Sequence, residues 1–400
     1  MAEYTYKAKD LKGVEHIGEI KASDQHMAAL VLRKRGLVVI TLSSGKTSTL
    51  GFLDQFFNKV SFTELVVMTR QLATMVSSGL VLSQAIDILE EQQTNKRLKK
   101  ILGEMSQDIK GGLSLAQSMG KFPEVFPHLY INLIKSGETS GKLDKVLMQM
   151  ADGLEKDREF KARIKGALIY PVIVISMMVV VMIIMMVFVI PRLTNLYEQS
   201  EMELPLPTKI LIGVSNLFLN YWWLMIAIVI GGVIGINRWS KTPDGQVRLD
   251  SLKLKIPVAG KIIAYSILTN FNRTFGLLVS AGIPLLEAIG IVTEQIDNSV
   301  YKTSLKNAYK GVERGLAFSS LLQDNVFPRL IPQMIKVGEE TGKVDEIFFK
   351  LADYFESETD HLVKNLTVAI EPVVLVILGI GVGFVVMSII LPIYKLTTSF

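Results

Sequence analysis

A chain of 400 residues with 49% hydrophobic side chains, 20% charged ones and a mean hydropathy of +0.37 is too apolar for an ordinary soluble protein, so a membrane is implied. The net charge of +5 is mild, and without a basic stripe or interleaved aromatics it gives no support for nucleic-acid binding. With Cys at 0, disulfides, thiolate metal sites and a Cys nucleophile are excluded.

Residues 3–10, EYTYKAKD, alternate in strand fashion, Leu11 to Gly13 read as a turn, and residues 14–22 return as a second strand. Ser23 caps a helix that ends at Gly36, and LVVITL, residues 37–42, reads as a short buried strand. Residues 1–42 are thus a small ββαβ adaptor unit and residues 43–60 a linker. Gly45-Lys46-Thr47 follows a strand, but a phosphate loop needs a glycine where Ile40 stands.

Residues 61–166 are predicted to form a first cytoplasmic helical repeat. Ser61 and Glu64 have capping-box spacing, Phe62, Leu65, Val66, Leu72, Met75 and Val76 mark one apolar face, and Gly79 stops the helix. Glycines and prolines punctuate shorter helices up to Gly137, after which a long solvated helix, with Glu159 placed to pair Arg163, runs toward the membrane. Without strand signals this repeat is an all-α bundle.

Residues 167–190 carry no charge and suffice for a first span. Lys161, Arg163 and Lys165 precede it, whereas Glu198, Glu201 and Glu203 follow against Arg192 and Lys209, so the first repeat is expected in the cytoplasm. No earlier apolar run is long enough to cross, so insertion is expected to be internal, without a cleavable signal. Residues 191–220 read as an external loop with an interfacial helix. The second span covers 221–238, opening on the Tyr221-Trp222-Trp223 belt, with Trp239, Arg238 and Lys241 at the cytoplasmic side. A cytoplasmic linker (239–263), a second cytoplasmic helical repeat (264–365), a third span (366–391) and an external tail (392–400) complete the chain.

One stretch occurs twice. Residues 126–155 and 327–356 align without a gap, matching Phe126-Pro127 to Phe327-Pro328, Gly137-Glu138 and Gly141-Lys142 to Gly338-Glu339 and Gly342-Lys343, and Ala151-Asp152 to Ala352-Asp353. Upstream, residues 69–82 echo 272–285, and downstream Pro171 and Pro191 match Pro372 and Pro392. This is a duplication of a bundle plus a span. Two direct copies on one side of a membrane require the chain to cross back between them, which the second span does, leaving the N-terminus cytoplasmic and the C-terminus external.

The doubled run is not a nucleotide loop, because it has three residues between its glycines and Leu143 or Val344 after the lysine. Two readings of Gly137, Glu138, Gly141, Lys142, Gly338, Glu339, Gly342 and Lys343 stay open. One is a Gly-terminated helix, a turn and a new helix whose first amides are offered to Glu138 or Glu339. The other is a docking surface for a partner. Pro171, Glu371 and Pro372 mark membrane entry: Pro171 kinks its span without breaking it, and Glu371, one short stretch beyond Lys364, sits at headgroup level or carries function. Gly231 with Gly235, and Gly379 with Gly383, permit close helix packing within the chain or between protomers. His16, His26, His128 and His361 lack metal spacing, and no catalytic set is supported.

TRQLATMVSSGLVLSQAI, the doubled Gly-Glu-x-x-Gly-Lys run, the two helical repeats and the spans after Tyr170-Pro171 and Glu371-Pro372 together resemble the inner-membrane platform proteins of type II secretion systems and type IV pili, the GspF/PilC family. The resemblance covers essentially the whole chain. It implies a mainly α, polytopic, non-enzymatic protein of the bacterial inner (cytoplasmic) membrane that uses no cofactor. It further implies contact with a cytoplasmic assembly ATPase, with pilin or pseudopilin subunits and with other inner-membrane components; we expect a homo-oligomer embedded in the lipid bilayer, and no nucleic acid. Some members hold calcium on acidic side chains of the first repeat; here Thr94 and Met148 take two of those places and only Asp152 is acidic, so no metal is carried over. A small parallel-repeat transporter or channel is the alternative, disfavoured because the first and third spans have nearly pure Val, Ile, Met and Gly centres.

Overall fold

The computed structural model describes residues 2–9, 15–22, 25–34, 36–44, 59–191, 206–322 and 326–398. The turn at Leu11 to Gly13, Ser23, most of the 43–60 linker and the acidic loop with Glu198, Glu201 and Glu203 lie outside these residues.

The chain divides into two compact units, the smaller comprising Met1–Ser61 with Gln93–Lys100. Within it, β1 (Ala2–Lys9), β2 (Glu15–Ala22) and β3 (Val38–Ser44) make an antiparallel sheet in the order β2-β1-β3, and α1 (Gln25–Lys34) lies between β2 and β3 in the chain. Tyr6 faces Gly18 across β1 and β2, and its ring covers the glycine so closely that a Cβ there would meet the phenol oxygen at 2.9 Å.

The helices α2 (Phe62–Ser77), α3 (Leu82–Gln92), α4 (Lys96–Lys110), α5 (Leu115–Met119) and α6 (His128–Ser140) precede the long α7 (Leu143–Ile184), and all but the first residues of α4 belong to the larger unit. After the kinked α8 (Leu206–Trp239) and α9 (Pro243–Lys255), the same sequence of helices returns: α10 (Ala259–Ser280), α11 (Leu285–Gln295), α12 (Ser299–Glu313), α13 (Phe318–Leu321), α14 (Leu330–Thr341) and the long α15 (Val344–Thr398). Two sequence-based boundaries move. Residues 239–263 are mostly helix, because Thr242 accepts the Gly245 N–H and Pro243 opens α9, and the helix equivalent to α2 begins at Ala259.

Both sets of helices fold for the same reason, an apolar stripe on each helix, but fill their interiors differently. Met68, Leu72, Leu115 and Leu147 are fully buried in the first. At the aligned positions the second buries Phe271, Phe275, Phe318 and Phe348, with Phe275 stacked on Phe348 at 4.3 Å between ring centroids and on Phe318 at 5.4 Å. The extra volume is accommodated locally: Ala73 becomes Gly276, whose Cα approaches the Phe349 ring so closely that a Cβ would lie 3.1 Å from it.

Among the described residues three helices are long and apolar enough to cross a membrane: Leu143–Val189, Leu219–Trp239 and Val344–Gly383. The first and third are direct continuations of the soluble helices, with α7 passing unbroken through Pro171. At its far end α7 loosens into a π turn, Met185–Val189, and the buried Ser215 hydroxyl of α8 donates to the Met186 carbonyl at 2.6 Å. Tyr221 leaves helical geometry at φ −121°, ψ 17°, dividing α8 between a segment bearing Ser215 and an apolar segment running to Trp239.

The two sets of helices meet where α7 of the first faces α10 and α15 of the second. Gly153 permits this approach, since a Cβ there would stand 2.7 Å from Leu277 Cδ1. The aligned position in the second copy is Tyr354, which is exposed. Gly153→Val is therefore expected to lower stability by about 1–3 kcal/mol through overpacking. Leu277→Ala should recover part of that loss in a double-mutant cycle read as thermal midpoints of the detergent-solubilised protein; strict additivity of the two changes would show that the contact does not exist.

Candidate partner-docking site at the doubled turn

The run from Gly137 to Lys142 is a helix end followed by a helix start, and each residue type has its own task. Gly137 is buried where α6 and α7 cross: a Cβ would come within 3.2 Å of the Leu143 Cα and 3.1 Å of Val146 Cβ. Gly141 adopts φ 66°, and its N–H and that of Lys142 return to the Glu138 and Gly137 carbonyls, closing α6. Gly338 and Gly342 repeat both features, with a Cβ at Gly338 lying 3.2 Å from the Val344 Cα and Gly342 at φ 71°.

The glutamates depart from the expected cap. Neither Glu138 nor Glu339 serves the helix that follows; each reaches back to the short helix before it. The Glu138 carboxylate accepts the N–H of Leu115 at 2.6 Å and of Ala116 at 3.1 Å, while Ser114 accepts the Gln117 N–H and Gln117 returns to the Ser114 N–H. The free amides of the first turn of α5 are thereby all met, two of them by a residue more than twenty positions downstream. Glu339 likewise accepts the Phe318 N–H at 2.9 Å and the Ser319 hydroxyl at 2.5 Å. The left-handed Gly141 and Gly342 end the helix that carries each carboxylate.

The lysines do the opposite. Lys142 and Lys343 are exposed, and Lys343 meets Glu346 at 3.3 Å. Of the docking candidates, then, the glycines and glutamates hold the bundle together and the lysines face outward.

The arginine shared by residues 69–82 and 272–285 acquires a role only in three dimensions. Arg70 joins three side chains of α7: Glu155 at 2.6 and 2.9 Å, Asp152 at 2.5 Å and the Met148 sulfur at 3.1 Å. These hydrogen bonds hold the Glu155 carboxyl below the usual carboxylate range and push the guanidinium higher still. Met148 and Asp152, two of the positions that the resemblance associates with a metal, are thus arginine partners. Among the described residues no cluster of three or more His, Asp or Glu could hold a metal. Arg273, its counterpart, is almost fully buried and bridges the copies, contacting Asp157 of α7 and Glu356 of α15. Glu356 also takes Arg163, whose guanidinium reaches Asp360 at 3.2 Å.

At the membrane, Pro171 is buried whereas Glu371 and Pro372 are exposed on α15. Thr367 donates to the Ala167 carbonyl at 3.4 Å, so the first and third spans enter side by side. A Cβ placed on Gly231, Gly235, Gly379 or Gly383 would find nothing within 4 Å, so among the described residues these glycines bring no helices of the chain together.

These features define the class, a mainly helical membrane protein with three candidate spans, two of them continuous with soluble helices. The family model described as type II secretion system (T2SS), protein F, matches residues 68–191 and again residues 271–392, and that for the N-terminal domain of type II secretion system protein F matches residues 1–43. The chain belongs to this family. It is 34% identical over 400 residues to the type IV pilus assembly protein PilC of Thermus thermophilus, covering 99% of this chain and 98% of that one. It is 35% identical over 370 residues to PilC of Pseudomonas aeruginosa, covering 91% and 97%. To the type II secretion system protein F of Xanthomonas campestris it is 32% identical over 406 residues, covering 100% of both.

Two outcomes are expected from this geometry. Glu138→Ala leaves two amides without an acceptor and should cost about 1–3 kcal/mol, whereas Lys142→Ala should stay within about 0.5 kcal/mol; thermal midpoints of the solubilised protein compare them, and equal effects would contradict the assigned roles. The second concerns acid. Because Glu155 has a folded pKa below its unfolded value, its contribution is present above that unfolded value and lost as pH falls through the folded one. The thermal midpoint should hold between about pH 7 and 5 and fall below about pH 4, and Arg70→Gln should flatten that acid limb; an unchanged limb in the variant would place its origin elsewhere.

Proposed function

We propose that this protein is a non-enzymatic inner-membrane platform of a type IV pilus or type II secretion machine, coupling a cytoplasmic assembly ATPase to the extrusion of pilin-like subunits. In this reading two duplicated helical bundles and an N-terminal ββαβ adaptor stand in the cytoplasm, the N-terminus is cytoplasmic and the C-terminus external. The part of α8 before Tyr221 rests at the outer interface, and the protein works as a homo-oligomer in contact with other inner-membrane components.

The observation that carries the proposal is the continuity of soluble and membrane helices within a family whose named members assemble pili or belong to secretion systems. The 42 residues of α7 extend about 63 Å and the 55 of α15 about 82 Å, each beginning at a doubled turn and continuing through a span. A displacement applied at either turn therefore reaches the membrane through unbroken helix, without a flexible joint to dissipate it.

The test is complementation. Loss of the gene should abolish surface filaments or secretion while ATPase and pilin levels stay normal, the full chain should restore output, and the assembly ATPase should co-purify with it. Normal output without the gene would overturn the platform reading, as would solute flux through reconstituted liposomes that disappears with Glu371→Gln.

A further inference from the structure

The two copies of the turn differ in charge in a way that separates a structural copy from a recognition copy. In the second copy, Lys336 lies 3.8 Å from Glu340 and Lys343 lies 3.3 Å from Glu346, so both ammonium groups have a carboxylate beside them. In the first copy the aligned lysines, Lys135 and Lys142, remain, but the two acids are replaced by Thr139 and by a further lysine, Lys145. Among the described residues none of these three ammonium groups has a hydrogen-bond or ion-pair partner, and Lys135, Lys142 and Lys145 are all exposed.

The same three lysines line one groove of about 580 Å³, closed on its other side by the Ser280–Pro284 turn of the second copy. The Ser136 hydroxyl clasps the two walls together by donating to the Ala281 carbonyl at 2.7 Å. Other hydroxyls in the groove are engaged: Thr139 donates to the Lys135 carbonyl, Ser140 to that of Ser136 and Ser280 to that of Leu277. The free donors are therefore mainly ammonium groups, opposed by the single carboxylate of Glu287, and the buried part of the lining is apolar at Val146 and Ile283. A hole that is cationic at its rim and apolar at its base selects carboxylates on a peptide with aliphatic side chains between them.

Two other anionic surfaces fit less well. Lys142 stands about 25 residues before the membrane entry at Ala167, about 37 Å along a continuous helix, several Debye lengths from lipid headgroups. No aromatic side chain lines the groove to stack a base.

We propose that this groove is the docking site for an acidic, aliphatic-bearing segment of a cytoplasmic partner, and that recognition is confined to the first copy. The inference rests on the platform reading for its partner but on the geometry above for its chemistry.

The full-length protein in phosphatidylcholine nanodiscs is titrated against a fluorescein-labelled peptide of alternating Asp and Leu, followed by anisotropy. Saturable, salt-sensitive binding is expected. The pair Lys142→Gln and Lys145→Gln should weaken it by about tenfold or more, and the second-copy pair Lys336→Gln and Lys343→Gln by less than about twofold. The substituted first-copy lysines have no partners to strand, so the thermal midpoint should be unchanged; a matched fall in the midpoint would instead assign these lysines to the fold and overturn the site. Absent binding, equal losses for both pairs, or displacement by a mixed-sequence single-stranded DNA at lower concentration than by unlabelled peptide would also overturn it. Gene deletion in the host separates this from the platform reading: filaments lost on deletion while the wild-type protein ignores the peptide sink only the groove, and filaments retained on deletion sink the platform reading whatever the peptide does.

Discussion

Arg273 sets the relation between the two halves of the duplication. Its side chain is 3% exposed and its guanidinium lies between Asp157, from the helix that becomes the first span, and Glu356, from the helix that becomes the third. A buried charge cluster of this kind adds little over well-packed apolar residues, yet it penalises alternatives severely, because any slide of α7 against α15 leaves an arginine without its carboxylate in a poorly solvated place. Arg163 reinforces the same setting by sharing Glu356 and adding Asp360. Lys156 with Asp353, at 3.2 Å and exposed to solvent on both sides, contributes little beside them. The register of the two long helices is thus fixed near their midpoints, between the turns where they begin and the bilayer they enter.

The arginine is visible in the sequence as a shared residue of the repeat, but its divergence in role is not. In the first copy it is an internal tie, Arg70 to Asp152 and Glu155; in the second it keeps the equivalent tie, Arg273 to Glu356, and adds one to Asp157 of the sister copy. The partner that makes the difference is Asp157, and nothing in the spacing of a single copy distinguishes an acid that serves its own bundle from one that serves its neighbour. Gly153 is a similar case. Read alone it is a weak point in a helix; set beside Tyr354 and Leu277 it is the place where one copy admits the other. Such contacts depend on how two surfaces meet, which periodicity does not encode.

Periodicity does encode the elements themselves. Helix type, the apolar runs, the stops at Gly79 and Gly141 and the break near Tyr221 all follow from local chemistry, a 3.6-residue stripe, a left-handed glycine or a change in hydrophobicity. The doubled turn shows where local reasoning stops. A glutamate following a buried glycine near a helix end looks like a cap for the next helix that opens after the left-handed Gly141 or Gly342. Glu138 and Glu339 cap instead the short helices at Leu115 and Phe318, a tie across the bundle that sequence spacing could not reveal.

Duplication gives each copy the same scaffold and then allows the copies to differ wherever the scaffold does not need the residue. The glycines and glutamates of the turn are needed twice, because each bundle must close its own helix and cap its own short one. The lysines are needed by neither bundle, and it is around them that the copies diverge: neutralised beside Glu340 and Glu346 in one, left bare beside Thr139 and Lys145 in the other. The bare set is also the one walled by the sister copy through Ser136 and Ala281. Bare charge costs little at an exposed site, so its retention opposite a closed wall is best understood as the solvated state of a surface meant to be covered, with the long helix behind it leading to the membrane.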